Sequence, residues 1–139
     1  MDGRAEFILD NSVVTSWWFE SQANAYADAI QEVAPSCTIH APALWPIEFA
    51  NQLRRAKLER RLTIAQVHAV TESIGALAIQ IDATPLDPML LVEAALRYGL
   101  TACGAAYLVL ALRLGLPIAT TDAALSKAAR ATGVGVFKP

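Results

Sequence analysis

Cysteine is scarce in this sequence: Cys37 and Cys103 are the only two in 139 residues, and neither has a CxxC or metal-ligand spacing. A disulfide framework and a structural zinc site are therefore not what organises the chain, and the pair reads as reduced core residues of a cytoplasmic protein. Charge is also sparse, at 17% of residues with a net of -2, which excludes binding of polyanions by bulk attraction and leaves room only for a local basic patch. Long apolar runs are missing. The longest, Cys103 to Leu112, is roughly half a membrane span and is closed by Arg113, so no membrane association is expected. Met1 to Glu6 carry both charge signs and no apolar segment, so a signal peptide is not expected either. Repeats, low-complexity tracts and linkers are lacking, which leaves a single domain over 1–139. What is abundant is apolar side chain, at 55%, so much of the chain has to be buried or covered by a partner.

Short apolar runs alternate with helical patterns from end to end. Phe7-Ile8-Leu9 has no helical spacing and reads as a strand buried on both faces, as in a parallel sheet covered by helices. Cys37 to His40, Ala78 to Asp82, Pro117 to Thr120 and Val134 to Phe137 are further strand candidates. Between them lie helical stretches over Asn11 to Glu20, roughly Asn24 to Val33, Leu44 to about Arg61, Thr63 to about Leu77, Asp87-Pro88 to Gly99, Thr101 to Leu114, and Asp122 to Ala131. Asp87-Pro88 is a cap followed by proline at the first helical position, and Gly99 and Gly115 are helix stops. The alternation implies an α/β fold, a three-layer α/β/α sandwich around a central parallel sheet of about five strands.

The end of the first strand is the position of interest. Asp10 stands where that strand gives way to a helix, the edge at which open α/β sheets bind ligands. For a lone Asp in such a place, helix capping is the ordinary role. Right-handed crossovers, however, bring the ends of the first and fourth strands to one edge, so Asp10 and Asp122 converge. Glu48, Asn51, Gln52 and Arg55 share a narrow polar face of the 44–61 helix, between an apolar stripe of Trp45, Phe49, Leu53 and Ala56 and a second of Ile47, Ala50 and Leu58. A helix buried on two sides with a polar seam suits a cleft wall, and Glu48 with Asn51 suits a metal-site face; a solvated stripe explains it as well. Acids that gather without basic partners repel one another unless a cation neutralises them. An oxygen-only set of Asp10, Glu48 and Asp122 selects Mg²⁺ or Mn²⁺ over zinc and suits phosphodiester hydrolysis.

Two further features bear on partners. Arg54, Arg55, Lys57, Arg60 and Arg61 outnumber Glu59 at the end of the same helix. Cations at a helix C-terminus are favourable in themselves, so a solvated end is the ordinary reading. Glu48 lies two turns away, so phosphates held by this patch would lie near that acid. Trp17 and Trp18 are adjacent on one helix and point about 100° apart, so one of them is free to meet a partner chain. His40 is assigned a strand-end hydrogen bond, and His68 and Asp87 no chemistry.

Taken in order, Phe7-Ile8-Leu9-Asp10-Asn11-Ser12, Trp45-Pro46-Ile47-Glu48-Phe49-Ala50-Asn51, Leu100 to Leu112 and Ala119-Thr120-Thr121-Asp122 resemble PIN-domain ribonucleases, most closely the VapC toxins of bacterial toxin–antitoxin modules. The resemblance spans nearly the whole chain, with no single strong motif. It implies a Mg²⁺- or Mn²⁺-dependent endoribonuclease, with Asp10, Glu48 and Asp122 as catalytic metal ligands and Ser12 and Thr121 as supporting residues. It also implies a homodimer, an antitoxin peptide in an apolar groove walled by Trp17 and Trp18, and contact with DNA only through the antitoxin. The fourth acid of that pattern falls on Gly104. Glycine there either reflects close packing or replaces a ligand, and replacement would impair the enzyme.

Two alternatives stand beside this one. The chain is a PIN-like module that keeps partner binding without catalysis, or a phospho-acceptor receiver domain, to which the strand-end acids and Lys138-Pro139 bear some likeness.

Overall fold

The computed structural model describes residues 3–19 and 24–139. Its centre is a four-stranded, all-parallel sheet of β1 (Glu6–Leu9), β2 (Thr38–Ala41), β3 (Gln80–Ile81) and β4 (Ile118–Ala119), in the order β3-β2-β1-β4. Successive side chains of a strand face opposite sides of the sheet, yet Phe7, Ile8 and Leu9 are all fully buried, so both faces of β1 are covered. Each such residue stabilises the fold by roughly 1.5–3 kcal/mol relative to its exposed state. Ile8 pairs with His40 on one side and Ile118 on the other, which makes β1, like β2, an interior strand of the sheet.

The sheet has four strands where about five were expected. The segment Val134–Phe137 contributes only one bridge, Val136 to Ile118. Gly133 (φ 86°) and Gly135 (φ 78°) both adopt left-handed backbone, which interrupts an extended run on either side of Val134. Phe137 is still anchored, because its ring stacks on Phe7 at 4.2 Å.

Among the described residues seven α-helices complete the fold as a three-layer α/β/α arrangement: α1 (Asn11–Trp18), α2 (Ala25–Val33), α3 (Trp45–Leu58), α4 (Ile64–Gly75), α5 (Pro88–Tyr98), α6 (Ala102–Leu114) and α7 (Ala123–Thr132). Their starts follow local chemistry. Thr63 and Gln66 form a reciprocal capping box on α4, and the side chains of Asp87, Thr101 and Asp122 each accept an amide of their own helix's first turn. Gly99 and Gly115 close α5 and α6 in left-handed conformation.

Four expectations need correction. Helix α1 ends at Trp18, and Glu20, the expected end, lies outside the described residues. Helix α3 ends at Leu58, and Arg60 takes φ 59°, so Arg60 and Arg61 belong to the following turn. The stripe Trp45, Phe49, Leu53 and Ala56 is buried, but Ile47 and Leu58 are 74% and 65% exposed, so α3 is buried on one side only. Cys37 is buried as expected, whereas Cys103 is exposed. No single described helix is long and apolar enough to cross a membrane.

The strand order sets the position of the site. From β1 the chain builds outward through β2 to β3, then returns to lay β4 against the opposite edge of β1. A crevice therefore opens beyond the carboxyl ends of β1 and β4, the switch point of the sheet.

Candidate active site

Asp10 occupies that switch point and is 8% exposed. Its amide donates to the Ala119 carbonyl at 3.0 Å, tying the end of β1 to the end of β4. It stands at the N-cap position of α1, but its side chain makes no capping bond. Instead Ser12 Oγ and Thr120 Oγ1 each donate to Oδ2 at 2.7 Å. Burial pushes the Asp10 carboxyl above its ordinary range; the two hydroxyls work against that shift, and the Asp122 charge adds to it.

Glu48 reaches the same cleft from the first turn of α3, where it is half-buried. Its Oε1 accepts the phenol proton of Tyr107 on α6 at 2.6 Å. Burial raises the Glu48 carboxyl, Tyr107 opposes the rise, and the Asp10 charge reinforces it. Asp122 caps α7 by accepting the Leu125 amide at 2.8 Å, and Thr120 Oγ1 accepts the Asp122 amide at 3.0 Å. Asp10, Glu48 and Asp122 all line one cleft of about 440 Å³, with Arg55, Gly104 and Tyr107 among the other lining residues.

No described basic side chain lies within ion-pair distance of these three carboxylates; among the described residues ion pairs join Glu6 to His40, Glu59 to Arg61 and Asp82 to Arg113. Three like charges facing one cleft, one of them nearly dry, leave either protonation or a hard cation as the means of neutralisation. The donor chemistry fits Mg²⁺ or Mn²⁺, being carboxylate oxygen throughout. The spacing is looser than a finished ligand set, since no group of three His, Cys, Asp or Glu among the described residues is already placed to hold an ion.

Gly104 stands where the resemblance implied a fourth acid. It sits in the first turn of α6, its amide bonded to Thr101 Oγ1 at 3.1 Å, and it lines the cleft. A Cβ added there meets Thr101 Oγ1 at 3.5 Å and Leu100 Cβ at 3.6 Å, which are ordinary contacts. Close packing therefore does not require glycine at this position.

The remaining expected residues divide. Ser12 and Thr121 line the cleft, joined by a bond from the Thr121 amide to Ser12 Oγ at 3.0 Å. Asn51 is exposed and lies outside the lining, so the expected Glu48–Asn51 face is not formed; Gln52, one residue on, takes that place. Of the basic cluster Arg55 alone lines the cleft. Arg54, Lys57 and Arg60 are exposed, and Arg61 lies 4.4 Å over the Phe19 ring while paired to Glu59. Trp17 and Trp18 are half-buried in edge-to-face contact, and Trp17 Nε1 donates to the Ala27 carbonyl at 2.7 Å. Both line a shallow apolar depression with Ile74 and Leu77. His40 bonds Glu6 at 2.9 Å, a strand-end role, and Lys138 lines a second groove and not the acid cleft.

Sequence reasoning passed over Tyr107, Thr120 and Asn11. Tyr107 stands three residues after Gly104, one turn along the same helix face, which is the spacing that signals it. Thr120 is the residue before Thr121 and faces Asp10 because of the β1–β4 register. Asn11 lines the cleft, and its Oδ1 is buried without a hydrogen-bond partner.

No family model and no curated protein matches the sequence. The structure is similar to the crystal structure of PAE2754 from Pyrobaculum aerophilum, with a TM-score of 0.69 and 19% identity over 95% of this chain and 83% of that one. At that identity the similarity is one of fold.

Proposed function

We propose that this chain is a Mg²⁺- or Mn²⁺-dependent ribonuclease of the PIN type, impaired by the missing acid at position 104. The observation that carries this reading is the meeting of Asp10, Glu48 and Asp122, from three separate elements, in one cleft where no described basic side chain is within ion-pair distance of them. When bound, a divalent ion activates water and stabilises charge on the leaving oxygen of a phosphodiester. The chain's own residues prepare that site. Ser12 and Thr120 fix the Asp10 carboxylate, and Tyr107 fixes Glu48. Asp122 is held at the head of α7 by its capping bond. Arg55 lines the same cleft and supplies a positive contact for substrate phosphate.

The decisive experiment compares cleavage of a mixed single-stranded RNA by the chain and by Gly104→Asp in Mn²⁺. A gain of at least tenfold supports the reading. Equal inactivity of both proteins, with no metal affinity in either, refutes it.

A second reading, a PIN-like module that binds partners without cutting, draws support from Gly104 itself and from the depression beside Trp17 and Trp18. On either reading the chain pairs with a second copy and with an antitoxin-like peptide. Helix α5 supports self-association, because it has no buried residue and presents Met89, Leu90, Val92 and Leu96 at 47–82% exposure.

A further inference from the structure

A second groove adjoins the acid cleft. It has a volume of about 670 Å³, within the range of roughly 300–1,000 Å³ usual for small-ligand sites. It runs between the start of α2, the end of β4, α7 and the segment after Gly133, and Thr121 lines both it and the acid cleft. The two are therefore contiguous, yet opposite in character. Arg130 and Lys138 line the second groove, and neither is paired with a carboxylate among the described residues. No described lining residue is acidic. Its uncharged surface includes Val136 and Tyr26, whose hydroxyl donates to the Phe137 carbonyl at 2.6 Å.

Two unpaired cations beside an aromatic and an aliphatic side chain fit a ligand that is anionic at one end and flat and apolar at the other. A nucleotide has that form. Resting on the nuclease reading above, we propose that this groove is the subsite for the nucleotide next to the scissile phosphate of a single-stranded RNA. Arg130 and Lys138 hold its phosphate, and Tyr26 and Val136 receive its base. With Arg55 in the acid cleft, the strand then has positive contacts in both the cleft and the groove. The strand must be single because a base enters the groove only when it has left its stack.

The test measures binding of a fluorescent oligoribonucleotide by anisotropy as a function of salt. It uses the chain as it stands with Gly104, in metal-free buffer so that no cleavage intervenes. Arg130→Ala/Lys138→Ala should weaken binding at least tenfold and reduce the salt slope by roughly 0.7, the value for one phosphate contact on a single strand. Lys127→Ala, an exposed cation on α7 outside the groove lining, should leave both unchanged. Tight RNA binding that ignores the double substitution overturns the subsite and leaves the nuclease reading intact. A double variant that weakens a free mononucleotide as much as it weakens RNA, at equal starting affinity, overturns it in favour of a small-molecule site. Failure of every form to bind RNA sinks the nuclease reading as well, and Mn²⁺ binding to the acid cleft separates these failures.

Discussion

The Tyr107 hydroxyl donates to Glu48 Oε1 at 2.6 Å, joining α6 to α3 across 59 positions of sequence. The carboxylate so held is half-buried and repelled by Asp10. Burial and the two neighbouring carboxylates push the Tyr107 phenol far above its ordinary range, so it acts as a donor only. Tyr107→Phe removes that donor and little volume. The Glu48 carboxyl should then titrate higher, and affinity for Mn²⁺ should fall by about tenfold to a hundredfold, the usual cost of losing the group that orients a ligand. Calorimetric titration of the variant checks this, and unchanged affinity would show that Tyr107 only packs.

Position 104 separates packing from ligation. Gly104→Ala should stabilise the chain by roughly 0.5–1 kcal/mol, since glycine in a helix costs about that much and the new Cβ meets only ordinary contacts. Chemical denaturation measures it, and a loss of stability would restore packing as the reason for glycine. Gly104→Asp should gain less in metal-free buffer, because a fourth acid joins three, and should gain more than Ala once Mn²⁺ is added.

Both Asp10 and Glu48 titrate above their ordinary values of 3.8 and 4.5. The native state then binds protons that the unfolded chain has released, and stability falls as pH rises from the ordinary carboxylate range through the raised values. Metal-free protein should therefore melt higher in mild acid than at neutral pH, and Mg²⁺ should close that difference. Asp10→Asn should flatten the slope. Melting temperatures taken across pH with and without Mg²⁺ read all three effects, and a metal-free profile that rises toward neutrality contradicts the burial of charge at Asp10.

Leu90→Arg/Leu96→Arg places charge on the exposed face of α5, where Leu96 is 82% exposed. Sedimentation should show the parent chain as an oligomer and the variant as a monomer of unchanged melting temperature. A monomeric parent removes the proposed self-association.

Much of the fold was legible because local signals agreed with it. Phe7-Ile8-Leu9 is a run that only a doubly covered strand explains, and Asp87-Pro88 with Gly99 bounds α5 to the residue. The convergence of Asp10 with Asp122 followed from strand alternation and crossover handedness alone. What was not legible depended on tertiary geometry. Val134–Phe137 has strand composition, but two left-handed glycines limit it to one bridge. The second apolar stripe of α3 looked like core, yet Ile47 and Leu58 lie open, because nothing in a helix wheel reveals what packs opposite. The i, i+3 spacing pairs Asn51 with Glu48, whereas of the polar face the cleft takes in Gln52 and not Asn51. Tyr107 and Thr120 could be recognised only once the acids they hold had been placed.

The most direct measurement is a Mn²⁺ titration followed by electron paramagnetic resonance, on the parent chain, on Gly104→Asp and on Gly104→Asp/Glu48→Gln. The parent should bind weakly, Gly104→Asp at least tenfold tighter, and the double variant should lose that gain. Equal affinity in all three, or no binding in any, contradicts a cation site among Asp10, Glu48 and Asp122.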